Sequence, residues 1–201
     1  MSIRLPYGIA ARPARTTVKV TVAVIAGPDP SLVATPEELR RWRRLTPLAS
    51  WSIVSVRGAL PGKDLPDEIL HGVAAELARQ DLEAHQLILL AEGKTARAAL
   101  ELVLRGAIDC AGLLAIAVPC TALSFRTVRA AAAIRLVVRC QDREDSPADL
   151  ITALHAADID ARIIGFDSAA ANGARAAASA AETFVLELVA NASRQSRHHG
   201  V

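Results

Sequence analysis

Short, continuous apolar runs that alternate with amphipathic segments constrain the fold of this chain more than any other feature. The runs are rich in Val, Ile, Leu and Ala, which predicts strands that are covered on both faces. We expect strands at Val18–Ala26, Ser52–Val56, Leu87–Ala91, Gly112–Val118, Ile134–Cys140 and Ala161–Phe166. Strands separated by helices predict an α/β fold, a three-layer α/β/α sandwich with about six mostly parallel strands.

Segments with helical spacing lie between and after these strands. Helices are predicted at Leu65–Arg79, Thr95–Arg105, Pro147–Ala157 and Ala174–Ala192, with a further helix around Arg40–Arg44. A chain of 201 residues can bury one sizeable core and is too short for two domains of ordinary size. We therefore expect one domain over residues 18–193, an N-terminal arm or edge strand at residues 1–17 and a polar tail at residues 194–201.

The strand Leu87–Ala91 runs directly into a sharp turn, Glu92-Gly93-Lys94-Thr95, and then into a helix. A serine hydrolase of the α/β type carries its nucleophile on such a strand-to-helix turn. The corresponding position here is Gly93, which has no side chain that could attack a carbonyl group. The residue at this position therefore indicates whether the chain is an enzyme or a protein that has the enzyme's fold without its catalytic activity.

The residues around this turn resemble a known family. Leu89–Gly106, followed by Ala111–Ala117, is similar to a stretch of the phospholipase/carboxylesterase family of α/β hydrolases. In that family an apolar strand leads to G-x-S-x-G, an Ala/Leu-rich helix and a further apolar strand. The strand, helix, strand and Ala-rich final helix between Ile134 and Ala192 also follow the family's order. The resemblance covers roughly Val18–Ala192 and implies a reduced α/β-hydrolase fold.

The resemblance also implies which positions would carry a catalytic triad, and none of them holds a suitable side chain. Gly93 stands at the nucleophile position. The family's acid, in a pattern like H-G-x-x-D-x-x-x-P, falls on Arg143, with Asp142 one residue early. The family's histidine, counted back from Phe184, falls near Ala171. Because a triad works as a unit, we expect no ordinary serine-hydrolase catalysis.

The loops that would surround the triad also depart from the family pattern. The oxyanion turn corresponds to Ala26-Gly27-Pro28-Asp29, where Pro28 has no N–H to donate. After Gly58 the chain passes almost directly to the helix at Leu65, where active relatives insert a loop that helps to shape the acyl pocket. We therefore expect a reduced acyl pocket.

Two alternatives keep a chemical role for the turn itself. Thr95 could act as a displaced nucleophile, although a threonine two residues into a helix is more often a structural hydroxyl that bonds to the preceding turn. Lys94 and the start of the helix offer a weak anion site. A full phosphate-binding loop is excluded because Ile88 stands where that motif requires glycine.

The carboxylate of Glu92 leads to a third alternative. With Asp142 or Asp145 it could form an acid and base pair at the carboxyl ends of the strands, where α/β sheets bind ligands. We prefer a different interpretation, in which Glu92 and Lys94 form an ion-pair network with Arg143 in the vacated site.

Charge and cysteine content exclude several classes of protein. The formal net charge is +2 and the dense basic run Arg40–Arg44 is typical of a solvated helix face, so we expect no nucleic-acid partner. Cys110, Cys120 and Cys140 lack metal-ligand spacing and are typical of buried thiols in a reducing compartment. No apolar run reaches about 18 residues and no secretory signal is present, which predicts a cytoplasmic protein without a membrane span.

The sequence therefore predicts a catalytically inactive α/β-hydrolase-like protein that acts as a small-ligand-binding or protein-interaction module. The alternative is a divergent carboxylesterase- or phospholipase-like hydrolase that acts on an ester or acyl substrate. The residues expected at a small acyl or anionic ligand are Gly27, Gly93, Lys94, Thr95 and Asp142. No cofactor and no metal is expected, and the resemblance implies a homodimer.

Overall fold

A computed structural model describes residues 20–58, 64–118, 132–139 and 148–198 of the chain. Several sequence predictions fall on other residues and lie outside this description. They concern the N-terminal arm at residues 1–17, the shortened segment after Gly58, Cys120, Cys140, Asp142, Arg143 and Asp145.

A six-stranded parallel sheet forms the centre of the described part. Its strands are β1 (Val20–Ala26), β2 (Ala49–Ser55), β3 (Leu87–Glu92), β4 (Gly112–Val118), β5 (Ala133–Arg139) and β6 (Ala161–Phe166). The spatial order is β2-β1-β3-β4-β5-β6, and every neighbouring pair is parallel. The predicted parallel sheet of about six strands is confirmed.

The strand bounds follow the apolar runs, with one clear departure. β4 and β6 have the predicted bounds, whereas β2 begins at Ala49 rather than at Ser52. β2 pairs with β1 from its first residue, in the register Val20↔Ala49 to Ala26↔Ser55. β2 lies at the edge of the described sheet, where a strand can carry exposed polar residues such as Ser50. The prediction searched for apolar runs and therefore missed the start of this strand.

Five α-helices connect and flank the strands. They are α1 (Pro36–Leu45), α2 (Leu65–Gln80), α3 (Gly93–Leu104), α4 (Ala148–Ala156) and α5 (Gly173–His198), with a short 3₁₀ helix at Ala84–Gln86. At the start of α1 the Thr35 hydroxyl accepts a hydrogen bond from the N–H of Glu38 at 3.3 Å, as a helix cap does. α5 continues beyond Ala192, where its end was predicted, into the segment predicted as a polar tail.

Two apolar cores lie on opposite faces of the sheet. Buried side chains of α2, α3 and α4 belong to one core, and those of α1 and α5 belong to the other. In β3, Leu87 and Leu89 enter the first core while Ile88 and Leu90 enter the second, because successive strand residues point to opposite faces. The predicted three-layer architecture is confirmed. Within the described ranges no helix combines the length and apolar character needed to cross a membrane.

Candidate functional site

A pocket of about 1290 Å³ opens at the carboxyl edge of the sheet. Its walls come from the loop after β1, the start of α1, the turn between β3 and α3, and the ends of β4 and β5. In the sheet, β2 lies on one side of β1 and β3 lies on the other side of β1. The pocket therefore lies where the strand order reverses, which is where open α/β sheets bind their ligands.

The pocket is large for a ligand site, since such pockets commonly enclose about 300 to 1,000 Å³. Much of its wall is built by Ala26–Leu32 and by Leu39 of α1. The expectation of a reduced acyl pocket concerns the segment after Gly58, which lies outside the described residues, and it stays a prediction.

The turn between β3 and α3, which we call the elbow, has a left-handed glycine at its centre. Gly93, the first residue of α3, has a φ of +64°, in the left-handed region that favours glycine. A Cβ atom built on Gly93 would meet no atom within 4 Å. A strained strand-to-helix turn is typical of α/β hydrolases. Here that turn presents open space to the pocket.

Thr95 and Gly27 pack together beneath the turn. The Thr95 hydroxyl donates a hydrogen bond to the Glu92 carbonyl oxygen at 2.7 Å, and the side chain is buried. A Cβ atom on Gly27 would lie 2.7 Å from Thr95 Cγ2, closer than such contacts allow. The hydroxyl has the structural role that the sequence favours for it, and Gly27 permits the close approach of the loop after β1.

Glu92 binds the backbone of that loop. One carboxylate oxygen accepts hydrogen bonds from the N–H groups of Leu32 at 2.8 Å and Val33 at 3.0 Å, and the other accepts one from Ala34 at 3.0 Å. Among the described residues the Glu92 carboxylate forms these three hydrogen bonds and no ion pair with Lys94, and Arg143, the third member of the expected network, lies outside them. Glu92 instead holds one wall of the pocket in place.

Among the described residues, two cationic side chains line the pocket, and sequence reasoning found only one of them. Lys94 is exposed in the first turn of α3 and was predicted. Arg139 is the last residue of β5, and its buried Nε atom has no hydrogen-bond partner. Arg139 could have been predicted from its position, because it is a charged residue at the carboxyl end of an apolar strand, where α/β sheets bind ligands. The anionic side chains of the lining are Asp29, which is exposed, and Glu92.

The structure brings together only some of the predicted site residues. Gly27, Gly93, Lys94 and Thr95 line the same pocket. Ala171 lies in the connection between β6 and α5 and is not part of the described lining. Asp142 and Arg143 lie outside the described residues.

The described part of the chain places no histidine at the turn. His71, on α2, forms a hydrogen bond through Nδ1 with the Asp67 carbonyl oxygen at 2.7 Å, and His85 lies beside Glu83 at 3.2 Å. No described histidine lines the pocket. Burial raises the pKa of the Cys110 thiol to about 12, so this cysteine is a buried thiol as predicted. Among the described residues no group of three His, Cys, Asp or Glu side chains could hold a metal ion.

Comparison with known proteins identifies the fold. No protein-family model matches the chain. No curated protein matches it either. Among solved structures the chain is similar to YahD with malic acid, at 16% identity with a TM-score of 0.58 over 84% of this chain and 94% of that chain. It is also similar to the Bacillus cereus carboxylesterase, at 12% identity with a TM-score of 0.61 over 86% of this chain and 90% of that one.

A hormone-sensitive lipase from a metagenome library is similar as well, at 11% identity with a TM-score of 0.62 over 86% of this chain and 78% of the lipase. Identities of this size establish a shared fold and do not establish a shared activity. This chain has the α/β-hydrolase fold, in a reduced form with six described parallel strands.

Proposed function

We propose that this chain is a non-hydrolytic protein of the phospholipase/carboxylesterase type that binds a small acyl or anionic ligand beside Gly93. The observation that carries the proposal is the turn itself. Its φ of +64° preserves the bend that presents a nucleophile, while the position of the side chain is open space above a pocket of about 1290 Å³. A ligand group can occupy the place of the missing side chain.

The backbone of the turn supports binding without catalysis. In an α/β hydrolase, the N–H of the residue after the nucleophile forms half of the oxyanion hole. That residue is Lys94 here, and its N–H does not depend on any of the absent side chains. No side chain caps the start of α3 in the described structure. The N-terminus of this helix can therefore attract a carbonyl or carboxylate oxygen.

The similar fold of YahD, whose structure contains malic acid, agrees with this type of ligand. Malic acid is a small carboxylic acid. From YahD we carry over to this chain only the chemical class of the ligand, a carboxylic acid. The homodimer and the cytoplasmic location that we expect from the sequence belong to the same proposal, and light scattering tests the former.

Two reactions test the absence of hydrolysis. The wild-type protein and Gly93→Ser are treated with a fluorophosphonate probe and with p-nitrophenyl acetate, beside an active carboxylesterase as positive control. We expect no labelling of either protein and no turnover above that of an unfolded sample. The serine alone should fail because no described histidine lines the pocket to activate it.

Either of two results would overturn the proposal. Labelling of the wild-type protein would favour the divergent hydrolase that acts on an ester or acyl substrate. Robust turnover by Gly93→Ser would show that an acid and a base are present at the turn. A folded Gly93→Ser protein, verified by circular dichroism, is required for the comparison.

A further inference from the structure

We infer that the ligand of this pocket is a carboxylic acid with an apolar body, and that Arg139 binds its carboxylate. The inference rests on the proposed function, since it concerns the same pocket. It adds a binding residue that the resemblance does not supply and a definite chemical group for that residue to recognise.

The first argument is the state of Arg139. A guanidinium group carries five N–H donors and no acceptor. The Nε of Arg139 is shielded from solvent and has no hydrogen-bond partner, and no ion pair of Arg139 occurs among the described residues. A buried donor without a partner destabilises the protein, and a ligand that accepts the hydrogen bond would remove this cost. The residue lines the pocket, so a ligand can reach it.

The second argument is the balance of charge in the pocket. The charged lining residues are Asp29, Glu92, Lys94 and Arg139. The carboxylate of Glu92 is already engaged by three backbone N–H groups, and Asp29 is exposed. Neither therefore neutralises Arg139 by a hydrogen bond. The interior of the pocket thus favours an anion.

The third argument is geometric. Glu92 pairs with Ile116 in β4, and Ile116 pairs with Val137 in β5. The backbone of Arg139 therefore lies two strands away from that of Gly93. Neighbouring strands are about 4.8 Å apart, so the two backbone positions are separated by roughly 10 Å. A carboxylate at Arg139 leaves the rest of the ligand to extend across the pocket toward the open space at Gly93.

The walls between these points determine the class of acid. They include the side chains of Val24, Leu32, Leu39, Leu65, Leu90 and Val118. Such a lining is complementary to an alkyl or aryl body and offers little to a polyhydroxylated one. A guanidinium binds a carboxylate through two parallel hydrogen bonds, and its single charge balances that of a carboxylate but not the two charges of a phosphate dianion. The combination fits a medium-chain or aromatic carboxylate.

The experiment compares octanoate with octanamide, which has the same chain without the charge. Binding is measured by calorimetry on the wild type, Arg139→Met and Arg105→Met. The Arg105 variant is a matched control because it also removes one positive charge but lies at the end of α3, outside the described pocket lining. We expect octanoate to bind at least about tenfold more tightly than octanamide, and Arg139→Met to abolish that difference.

The control and a second cationic variant define the specificity of the effect. Arg105→Met should leave the preference for octanoate unchanged. Lys94→Met should weaken octanoate by only about two- to threefold, because Lys94 is exposed and its charge is screened by water. The unfolding midpoint in urea checks that each variant is folded. The two ligands on the wild type alone test the inference if Arg139→Met does not fold.

The outcomes separate this inference from the proposed function. Equal binding of octanoate and octanamide to the wild type would overturn the role of Arg139 while leaving a ligand-binding pocket. Tighter binding of octyl phosphate than of octanoate would overturn the choice of carboxylate. Failure of all three compounds to bind the wild type would contradict both proposals together.

Discussion

Two arginines on the same strand have opposite environments. Arg135 and Arg139 lie four positions apart in β5, so they belong to the same face of the sheet. The guanidinium of Arg135, 1% exposed, donates hydrogen bonds to Glu187 at 2.8 Å and to Asp160 at 3.0 Å. The Nε of Arg139 has no partner. A charge that stabilises the fold is paired within the chain, while a charge available to a ligand is left unpaired.

The difference extends to the two edges of the sheet. At the amino edge, Thr21 at the start of β1 donates a hydrogen bond to Gln80 at the end of α2. One turn earlier, hydrogen bonds from Arg79 lower the pKa of the buried Glu76 carboxyl to about 2. At the carboxyl edge, Glu92 is satisfied by backbone groups, and the cations remain free of ion pairs in the described residues. The polar groups of the amino edge therefore stabilise the fold, and the cations of the carboxyl edge are the groups that we propose for ligand binding.

Arg135→Met is expected to have the largest effect of the variants that test this comparison. It leaves the carboxylates of Asp160 and Glu187 without their buried partner. The lost charge-assisted hydrogen bonds contribute about 1.5 to 3 kcal/mol each, so we expect the unfolding free energy to fall by about 3 kcal/mol. The loss is limited because the Asp160 side chain is 62% exposed and Glu187 keeps an ion pair with Arg162 at 3.2 Å. Arg139→Met, by contrast, breaks no pair and removes a buried donor without a partner, so it should not lower the unfolding free energy. Urea unfolding measures both variants.

The pH dependence of the same variant provides a second check. Hydrogen bonds from Arg135 lower the pKa of Glu187 below its usual 4.5 in the folded protein. A lowered folded pKa contributes stability that is present above about pH 4.5 and is lost as the pH falls below it. The cost of Arg135→Met should therefore shrink between pH 7 and about pH 3. A cost that stays constant over this interval would contradict the assignment of this stability to the pair.

Glu92→Gln is expected to have the next largest effect, and it tests the part of the carboxyl edge that is internally satisfied. The glutamine amide keeps one acceptor oxygen. Its NH₂ group replaces the second carboxylate oxygen and cannot accept a hydrogen bond from the backbone N–H that faces it. We expect a loss of about 2 kcal/mol of unfolding free energy, as for hydrogen bonds to a charged group.

Asp109→Asn removes one carboxylate from an exposed position and is the matched control for Glu92→Gln. It should change the unfolding free energy by less than about 0.5 kcal/mol. Equal effects of the two variants would mean that the charge of Glu92 does not hold the loop after β1. The wall of the pocket would then need another explanation.

The contrast between these residues also explains what the sequence could predict. The sheet was predictable because hydrophobic periodicity is a local property, and β4 and β6 have the predicted bounds. The elbow was predictable because strand, glycine and helix are adjacent in the chain. The bonds of Glu92 were not, since the donors at Leu32–Ala34 lie on a distant loop. Arg139 was missed because the absence of a partner depends on everything that packs around it.

Gly93→Ala should cost less stability than Arg135→Met or Glu92→Gln. The alanine must adopt a φ of +64°, which costs about 1 kcal/mol for a residue with a Cβ atom. No clash adds to this cost, because the new Cβ atom meets nothing within 4 Å. Gly27 differs, since a Cβ atom there would lie 2.7 Å from Thr95 Cγ2. The strain at Gly93 is therefore confined to its own backbone.

The effect of Gly93→Ala on binding decides which part of the pocket recognises the ligand. One methyl group occupies a small fraction of a pocket of about 1290 Å³, so octanoate should bind within about threefold of wild type. Calorimetry of Gly93→Ala beside Arg139→Met measures the contrast directly. A loss at Gly93→Ala as large as that at Arg139→Met would mean that the ligand touches the backbone of the elbow. The elbow would then be the binding determinant, and the unpaired cation would only assist it.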